Sequence, residues 1–414
     1  MSAPDLLAVG GGAAGLMAAV TAAERGLSVT VLEKNSRPGR KLLITGKGRC
    51  NLTNNCTPEE FLPNVQSNPR FLLSALHKFT PADAMDFFER HGLPLKTERG
   101  RRVFPQSDRA MDVVDTLVRA AQDAGVRFVT GTAERLLVED GRVCGAVCTD
   151  GSTLHARWTL LATGGLSYPA TGSTGDGYRL AASVGHTLVP TRASLAPVEV
   201  GEREECAALM GLTLKNVTLT LTRGGRTLYS ELGEMLFAHF GVTGPLVLSA
   251  SAFLGDLGGA LLSIDLKPGL DFEQLDRKLA ALFQTPHAKA LKNILAETLP
   301  QRLIEPVCAR AGLDPFRRGS SFTRAERQLV VTAMKDFRLH PVRLRPVDEA
   351  IITAGGVSVR EVDPKNMRSK KCGGLLFAGE LLDLDAFTGG YNLQIAWSTA
   401  YAAAEGIPWE EDEA

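Results

Sequence analysis

Residues 5–15 read Asp5-Leu6-Leu7-Ala8-Val9-Gly10-Gly11-Gly12-Ala13-Ala14-Gly15, and a helical stretch, 16–25, follows at once. The order is apolar strand, glycine turn, helix. Each glycine has its own task in such a unit. Gly10 permits the tight turn, Gly12 lets the backbone approach a pyrophosphate, and Gly15 lets the helix lie close against the strand. Ala13 and Ala14 stand at the helix amino terminus, where unpaired N–H groups and the helix dipole favour a phosphate. Gly26 ends the helix, and Ser28-Val29-Thr30-Val31-Leu32 reads as a second strand with Glu33 at its carboxyl end. The acid follows the glycine cluster by about twenty residues, where a carboxylate accepts hydrogen bonds from ribose hydroxyls and disfavours a 2′-phosphate. Glycine turns open many helices that bind nothing. Here strand, helix and acid agree, and they predict a dinucleotide-binding half-domain.

The whole chain sets outer bounds on that reading. Its 414 residues, 44% hydrophobic, exceed one ordinary core, so two or three packed units are expected. Lys plus Arg equal Asp plus Glu at 46 each, so no overall field draws the protein to nucleic acid or to an anionic membrane. Any nucleic-acid contact needs a local patch. No run of about 18 uncharged apolar residues occurs, which argues against a spanning helix. The amino terminus, with Asp5 ahead of the apolar run and no cleavage-like site, reads as neither signal nor transit peptide, so a cytoplasmic protein is expected. Seven cysteines form no disulfide-like or zinc-like pattern, and seven histidines are scattered. Reduced thiols and no metal site are the expectation, and no G-x-S-x-G elbow suggests a serine hydrolase.

Residues 38–55, Pro38-Gly39-Arg40-Lys41-Leu42-Leu43-Ile44-Thr45-Gly46-Lys47-Gly48-Arg49-Cys50-Asn51-Leu52-Thr53-Asn54-Asn55, read as a long loop dense in glycine and cations. From Lys41 to Asn55 it resembles the signature of bacterial FAD-dependent oxidoreductases of the aminoacetone oxidase and BaiN type. Further blocks are similar and occur in order: Ala162-Thr163-Gly164-Gly165-Leu166-Ser167-Tyr168-Pro169, Gly233-Glu234-Met235-Leu236-Phe237, Thr353-Ala354-Gly355-Gly356-Val357, and residues 374–403. The resemblance implies non-covalently bound FAD and a glutathione-reductase-like flavoprotein fold. It implies cofactor contacts from Lys34, Arg40, Lys41, Gly48, Arg49, Cys50 and Asn51, from Thr163, Gly164 and Gly165, and from the backbone near Ala133 at adenine. Within the loop a packed Cys50 thiol is the ordinary expectation, with a redox role as the alternative.

The blocks also make physical sense by themselves. Leu160-Leu161-Ala162-Thr163-Gly164-Gly165 is a buried strand ending in a tight turn, where an open parallel sheet leaves its ligand crevice. Leu375-Leu376-Phe377-Ala378 is another apolar strand, followed by Gly379 and Glu380. The wider fold usually carries Asp at the position of Glu380. Gly390, Tyr391, Asn392 and Leu393 open a helix that runs through Ala404, and its free N–H groups suit the pyrimidine edge of a flavin. Ligand-binding segments near residues 10 and 392 require the chain to leave one fold and re-enter it.

The predicted architecture is α/β: a Rossmann-like FAD-binding domain of glutathione-reductase type, carrying an inserted β-rich, barrel-like domain followed by helices. The parts are 1–190, 191–345 and 346–414. Residues 72–125 read as mainly helical. The insertion is expected to cover the flavin and form the substrate cavity, with Glu234 and His239 in its most family-like loop as candidate catalytic groups and Tyr391 as a third. Tyr168 is a similar candidate. A histidine beside Phe240, or a buried tyrosine, equally fits a satisfied packing role.

The leading function is hydride exchange between flavin and a small-molecule substrate, by amine oxidation or by reduction of a conjugated C=C bond. No second G-x-G-x-x-G occurs after residue 100, so NAD(P)H, if it is the donor, must dock transiently. An alternative is reduction of a pyrimidine base in ribosomal RNA, suggested by such relatives in the family and by Arg317, Arg318, Arg324, Arg327, Arg338, His340, Arg343 and Arg345 with Lys365, Arg368, Lys370 and Lys371. Against it, charge runs are usually solvated faces. A non-catalytic flavin-binding regulatory protein is the third reading.

Overall fold

The computed structural model describes residues 3–255, 257–283 and 289–409. They form two compact units, residues 1–194 with 347–414, and residues 195–346.

The first unit is built on a five-stranded parallel sheet, ordered Leu375–Phe377, Trp158–Leu161, Leu6–Val9, Val29–Glu33 and Arg127–Thr130. Leu6 pairs with both Trp158 and Val29, so the amino-terminal strand is central. Its four residues are all buried, as a sheet covered on both faces demands. Two helices sit against it, an opening helix, Ala13–Glu24, and a closing helix, Tyr391–Glu405. Both are rich in alanine and lack a polar stripe, the pattern of helices enclosed on all sides. Gly379 lies between them. A Cβ there would fall 2.9 Å from the Ala14 Cβ and 3.8 Å from that of Ala396.

Three antiparallel sheets complete this unit, one of them the pair Leu188–Ser194 and Ile352–Val357. Of the other two, with three strands each, one joins Ala133–Glu139, Arg142–Cys148 and Thr153–His155, and the last joins Thr53–Asn54, Arg102–Pro105 and Leu95–Glu98. The last corrects the helical reading of 72–125. Helices Pro69–Lys78, Pro81–Arg90 and Ala110–Asp123 are present, but Gly92, at φ +81°, ends the middle one, and Gly100 and Arg101, both at positive φ, turn a hairpin. The "loop" at 38–55 likewise contains a short helix, Arg40–Ile44.

The second unit has its own core around a seven-stranded antiparallel sheet, ordered Phe337–Leu339, Ala260–Asp265, Thr213–Arg223, Arg226–Ala238, Gly241–Thr243, Val198–Val200 and Pro341–Leu344. Its two edge strands are separated in sequence by His340 alone, so the sheet must curl until its edges adjoin, giving the barrel-like form. Helix Arg324–Lys335 packs on it, and helices Phe272–Phe283 and Ile304–Ala311 pack on that helix. No helix among the described residues is long and apolar enough to cross a membrane.

The first glycine turn carries the architecture. A Cβ on Gly15 would stand 1.8 Å from the Gly10 carbonyl oxygen. Gly15→Ala is therefore expected to push the opening helix off the sheet and cost about 1–3 kcal/mol, as overpacked cores do. Urea unfolding of the apoprotein measures this, and an unchanged midpoint would contradict the packing described.

Candidate active site

Because all four pairings of the sheet are parallel, its carboxyl edge gathers the ends of strands distant in sequence. Gly10 follows the central strand, Glu33 ends the next, Thr163, Gly164 and Gly165 follow Trp158–Leu161, and Gly379 and Glu380 follow Leu375–Phe377. The approach is close. A Cβ on Gly10 would lie 2.6 Å from the Ala162 carbonyl oxygen. Glu33 accepts from the Gly11 N–H at 2.7 Å and from the Asn35 N–H and side-chain amide at 2.8 and 2.6 Å. Oε1 takes both Asn35 bonds, so by its two lone pairs only Oε2 retains capacity, for one further donor such as a ribose hydroxyl. Gly131, whose N–H donates to the Glu33 carbonyl at 3.0 Å, brings the start of the strand Ala133–Glu139 to the same end.

A polar network sits beneath the glycine turn at 163–165. The Lys41 ammonium donates to Glu380 Oε2 and to Ser167 Oγ, both at 2.6 Å. Glu380 Oε1 accepts from Ser167 Oγ at 3.0 Å and from the Thr353 N–H at 2.9 Å. Thr353 Oγ1 in turn accepts from the N–H groups of Leu166 and Ser167. The longer reach of Glu over the usual Asp thus lets residue 380 serve as the hub that locks this turn. Lys34 pairs with Asp176 at 2.6 Å. Burial alone would raise the Asp176 carboxyl, but the Lys34 ammonium outweighs it and holds the group below its usual range.

The closing helix presents its amino terminus to the same region. Gly390, at φ +100°, precedes it without a side-chain cap, and the first turn carries no acid. A Cβ on Gly390 would lie 2.3 Å from the Thr53 carbonyl, so glycine is required for the close approach. Thr53 Oγ1 donates to Gln394 Oε1 at 2.6 Å, and Trp397 Nε1 donates to the Leu52 carbonyl at 2.8 Å. The Asn392 side chain closes the turn before the helix by bonding Ala386 N–H and carbonyl at 2.9 and 2.8 Å. The stretch 38–55 is therefore tied to Glu380 at one end and to the closing helix at the other.

Other expected residues lie differently. Arg49 is committed to Glu98 and Asp108 and stacks 4.1 Å over Phe104, and these carboxylates hold its guanidinium pKa above its ordinary value. Arg40 is exposed and donates to Asn35 Oδ1 at 3.0 Å. Gly48 and Cys50 both have positive φ in the turn after Thr45. Cys50 is fully buried, and burial, against a weaker Thr45 hydrogen bond, pushes its thiol up to about 12, the state of a packed rather than a reactive cysteine. Glu234 lies within the strand Arg226–Ala238 instead of a loop, on the face opposite buried Met235 and Phe237, because the β alternation continues through it. His239 is exposed in the two-residue turn that follows. Both belong to the second unit. Tyr391 is half-buried, edge-on to Phe61 at 5.1 Å, and burial pushes its phenol up to about 12. Tyr168 precedes the turn Pro169–Thr171 at φ +54°. Of the basic residues, Arg317–Arg345 lie in the second unit and Lys365–Lys371 in the first. Asn35, Ser167, Asp176, Thr353 and Gln394 join the site without having been singled out. Four of them stand in or beside the glycine blocks, and their only signal was that position.

The residues fit FAD. Gly12 heads an uncapped helix with nothing within 4 Å of where its Cβ would be, so backbone approach is open. Among the described residues, Thr163 Oγ1 and Asn51 Oδ1 are buried without a hydrogen-bond partner, a state that calls for a ligand or water. The profile of the HI0933-like protein Rossmann domain matches residues 4–406. The chain is 33% identical over 406 residues to the ribosomal RNA dihydrouridine synthase of Escherichia coli (strain K12), covering 97% of this chain and 98% of that protein. It is 31% identical over 402 residues to the 3-dehydro-bile acid delta(4,6)-reductase of Clostridium scindens, covering 95% and 97%. Among solved structures, the 3-ketosteroid-delta4-(5alpha)-dehydrogenase of Rhodococcus jostii RHA1 shares the fold, with a TM-score of 0.53 at 16% identity over 98% of this chain and 96% of that one.

Removing one partner of the Lys41–Glu380 pair strands a charge that is mostly shielded from water. Lys41→Met should cost about 1–3 kcal/mol and release FAD more readily. Adding Glu380→Gln should restore part of the loss, because the stranded charge goes with it. Flavin release on heating, followed for the three variants as a double-mutant cycle, checks the coupling; additive effects would deny it.

Proposed function

The chain belongs to the HI0933-like Rossmann family and is an FAD-dependent oxidoreductase, and on that footing we propose that it reduces a carbon–carbon double bond conjugated to a carbonyl, with a uracil base of ribosomal RNA as substrate. The observation that carries this reading is the near full-length similarity to relatives whose names share one transformation. Making dihydrouridine saturates a C=C bond conjugated to the uracil carbonyl, and a 3-dehydro-bile acid delta(4,6)-reductase saturates bonds conjugated to a ketone.

In this proposal Gly10, Gly12, Ala13, Ala14 and Gly15 receive the diphosphate of FAD, Glu33 the adenosine ribose and Ala133 the adenine. Thr163, Gly164, Gly165 and Asn51 border the middle of the cofactor, where Lys41 and Glu380 hold the turn in shape. Gly390, Asn392 and Leu393 offer backbone N–H groups to the pyrimidine edge, and the positive helix end favours negative charge there. FAD, once bound and reduced by two electrons, would supply the hydride for the carbon remote from the carbonyl. The adjacent carbon needs a proton. Tyr391 retains its phenolic proton across the neutral range, since burial holds it up to about 12, and can donate it. His239 and Glu234 are the second unit's candidates for proton delivery and substrate contact. NAD(P)H docking transiently is the proposed electron source, because the chain carries a single dinucleotide fingerprint.

Reduction of a small conjugated ketone is the second reading, and a specific observation favours it. The arginines an RNA contact would draw on are largely paired with acids: Arg317 with Glu326 at 2.6 Å, Arg327 with Asp276 at 2.7 Å, and Arg343 and Arg345 with Glu199 at 2.8 and 2.7 Å. Anaerobically reduced holoprotein, mixed separately with unmodified ribosomal RNA, a conjugated steroid ketone and a panel of amines as controls, separates the readings. RNA should reoxidise the flavin and yield a uridine heavier by two hydrogens in nucleoside mass spectrometry. Reoxidation by the ketone alone would transfer the assignment to small molecules, and reoxidation by neither would sink the reduction of conjugated bonds.

Tyr391→Phe should keep bound flavin and lower turnover by roughly 100-fold or more, the usual loss for a removed general acid. Its wild-type rate should be flat through neutral pH. A rate that falls as pH rises through that range points to an imidazole donor instead, and His239→Gln then carries the larger loss.

A further inference from the structure

On the sheet of Ala133–Glu139, Arg142–Cys148 and Thr153–His155, three different metal-ligating side chains meet, none of them assigned to FAD. Glu139 ends the strand Ala133–Glu139, Cys144 lies in Arg142–Cys148, and His155 ends Thr153–His155. One donor atom from each lies within 4.8 Å of the others. We propose that these three residues form a binding site for a zinc-type divalent cation, with the fourth position open to water.

The backbone explains the convergence. Leu137 and His155 both pair with Gly145, so all three share one face, and Glu139, two residues beyond Leu137, returns to it. Cys144 precedes Gly145 and would ordinarily face the other way. The register shifts here, from Leu137 opposite Gly145 to Val138 opposite Val143, which leaves Cys144 as the extra residue of a β-bulge. Bulges re-aim side chains. The burial pattern agrees, since Val143 and 145–148 are buried while Cys144 is half-buried beside exposed Glu139 and His155.

The bulge is held by the backbone. Gly145 has φ +143°, and a Cβ there would lie 2.0 Å from the Leu154 carbonyl oxygen. The Ala156 N–H donates to the Cys144 carbonyl at 2.9 Å. The three side chains therefore start from fixed points and need only rotate to reach tetrahedral spacing. Without metal, the Cys144 thiol has the Leu137 carbonyl 3.6 Å away as a weak acceptor.

The donor set selects the ion. A thiolate and an imidazole suit zinc and disfavour magnesium, calcium and manganese, which prefer all-oxygen shells. Three protein ligands with an exposed remaining position make an open site. On binding, the Cys144 thiol proton passes to solvent and the sulfur becomes a thiolate ligand. The residues are five and eleven apart, across two turns, so no linear zinc motif marks them. The cation would join all three strands of the sheet that begins at Ala133.

The test uses the full FAD-loaded chain, freed of metal by a chelator and titrated with zinc chloride by calorimetry. One zinc per chain is expected, at micromolar affinity or tighter. Cys144→Ser and His155→Ala should each weaken it by at least about tenfold, and Cys56→Ser should not. In the unaltered protein, zinc should slow alkylation of Cys144 by iodoacetamide, read by peptide mass spectrometry, which needs no variant to fold. Absence of stoichiometric binding, equal affinity in all variants, or alkylation indifferent to zinc would each overturn the site.

Discussion

Everything in the first unit depends on backbone meeting backbone at the glycine turn. Gly15 leaves no room for a side chain against the Gly10 carbonyl, and Gly10 leaves none against that of Ala162. These contacts bring the opening helix, the central strand and its neighbour into one packed edge. The same logic recurs at Gly379, wedged between Ala14 and Ala396, and at Gly390, against the Thr53 carbonyl. Glycine costs conformational entropy wherever it is used. Here it is concentrated at the edge proposed to receive the dinucleotide, so in that proposal the structural requirement and the binding requirement coincide.

The second constraint is electrostatic. An edge proposed to receive a diphosphate must stay positive, yet the turn beside it is locked by a carboxylate, Glu380. The conflict is resolved by neutralising that acid locally with Lys41 and saturating its oxygens with Ser167 and the Thr353 N–H. Asp176 is neutralised in the same way by Lys34. The helix amino termini are left uncapped and free of acids, so the positive potential that remains at the edge comes from backbone dipoles fixed in direction.

The parallel sheet and the opening and closing helices that pack on it were legible because they rest on local signals: glycine turns and apolar strands. The hairpin within 95–105 was not, since its strands are short and their partner, Thr53–Asn54, lies some fifty residues away. Arg49 shows a further limit. It stands in the most distinctive block of the sequence, yet its guanidinium turns to Glu98 and Asp108, which no spacing rule connects to it. The Glu380 hub was legible as a position and hidden as a network, because Lys41, Ser167 and Thr353 come from three remote segments. Cys144 showed no zinc-like spacing in the sequence, because Glu139 and His155 become its neighbours only through a bulge.

The charges bear on how an RNA substrate could be held. A balanced chain can still carry a basic face if its acids lie elsewhere, but here the acids stand beside the arginines. Arg310 pairs with Glu205 at 2.7 Å, and Arg338 is bound to Asp336. Near residues 365–371, Lys371 pairs with Glu361 at 2.8 Å and Arg368 stacks 4.6 Å over Trp158. Each ion pair with an acid cancels most of the field that a phosphate backbone would feel, whereas stacking on Trp158 by itself leaves the charge of Arg368 in place. Glu199, shared by Arg343 and Arg345, is an exception that leaves excess positive charge. Counterion release at a few such points gives a shallow salt dependence. Selection of an RNA substrate on this protein would then rest on fitting one unstacked base into the site, a demand that a small planar enone meets equally well and that makes a common ancestry for the two chemistries physically reasonable.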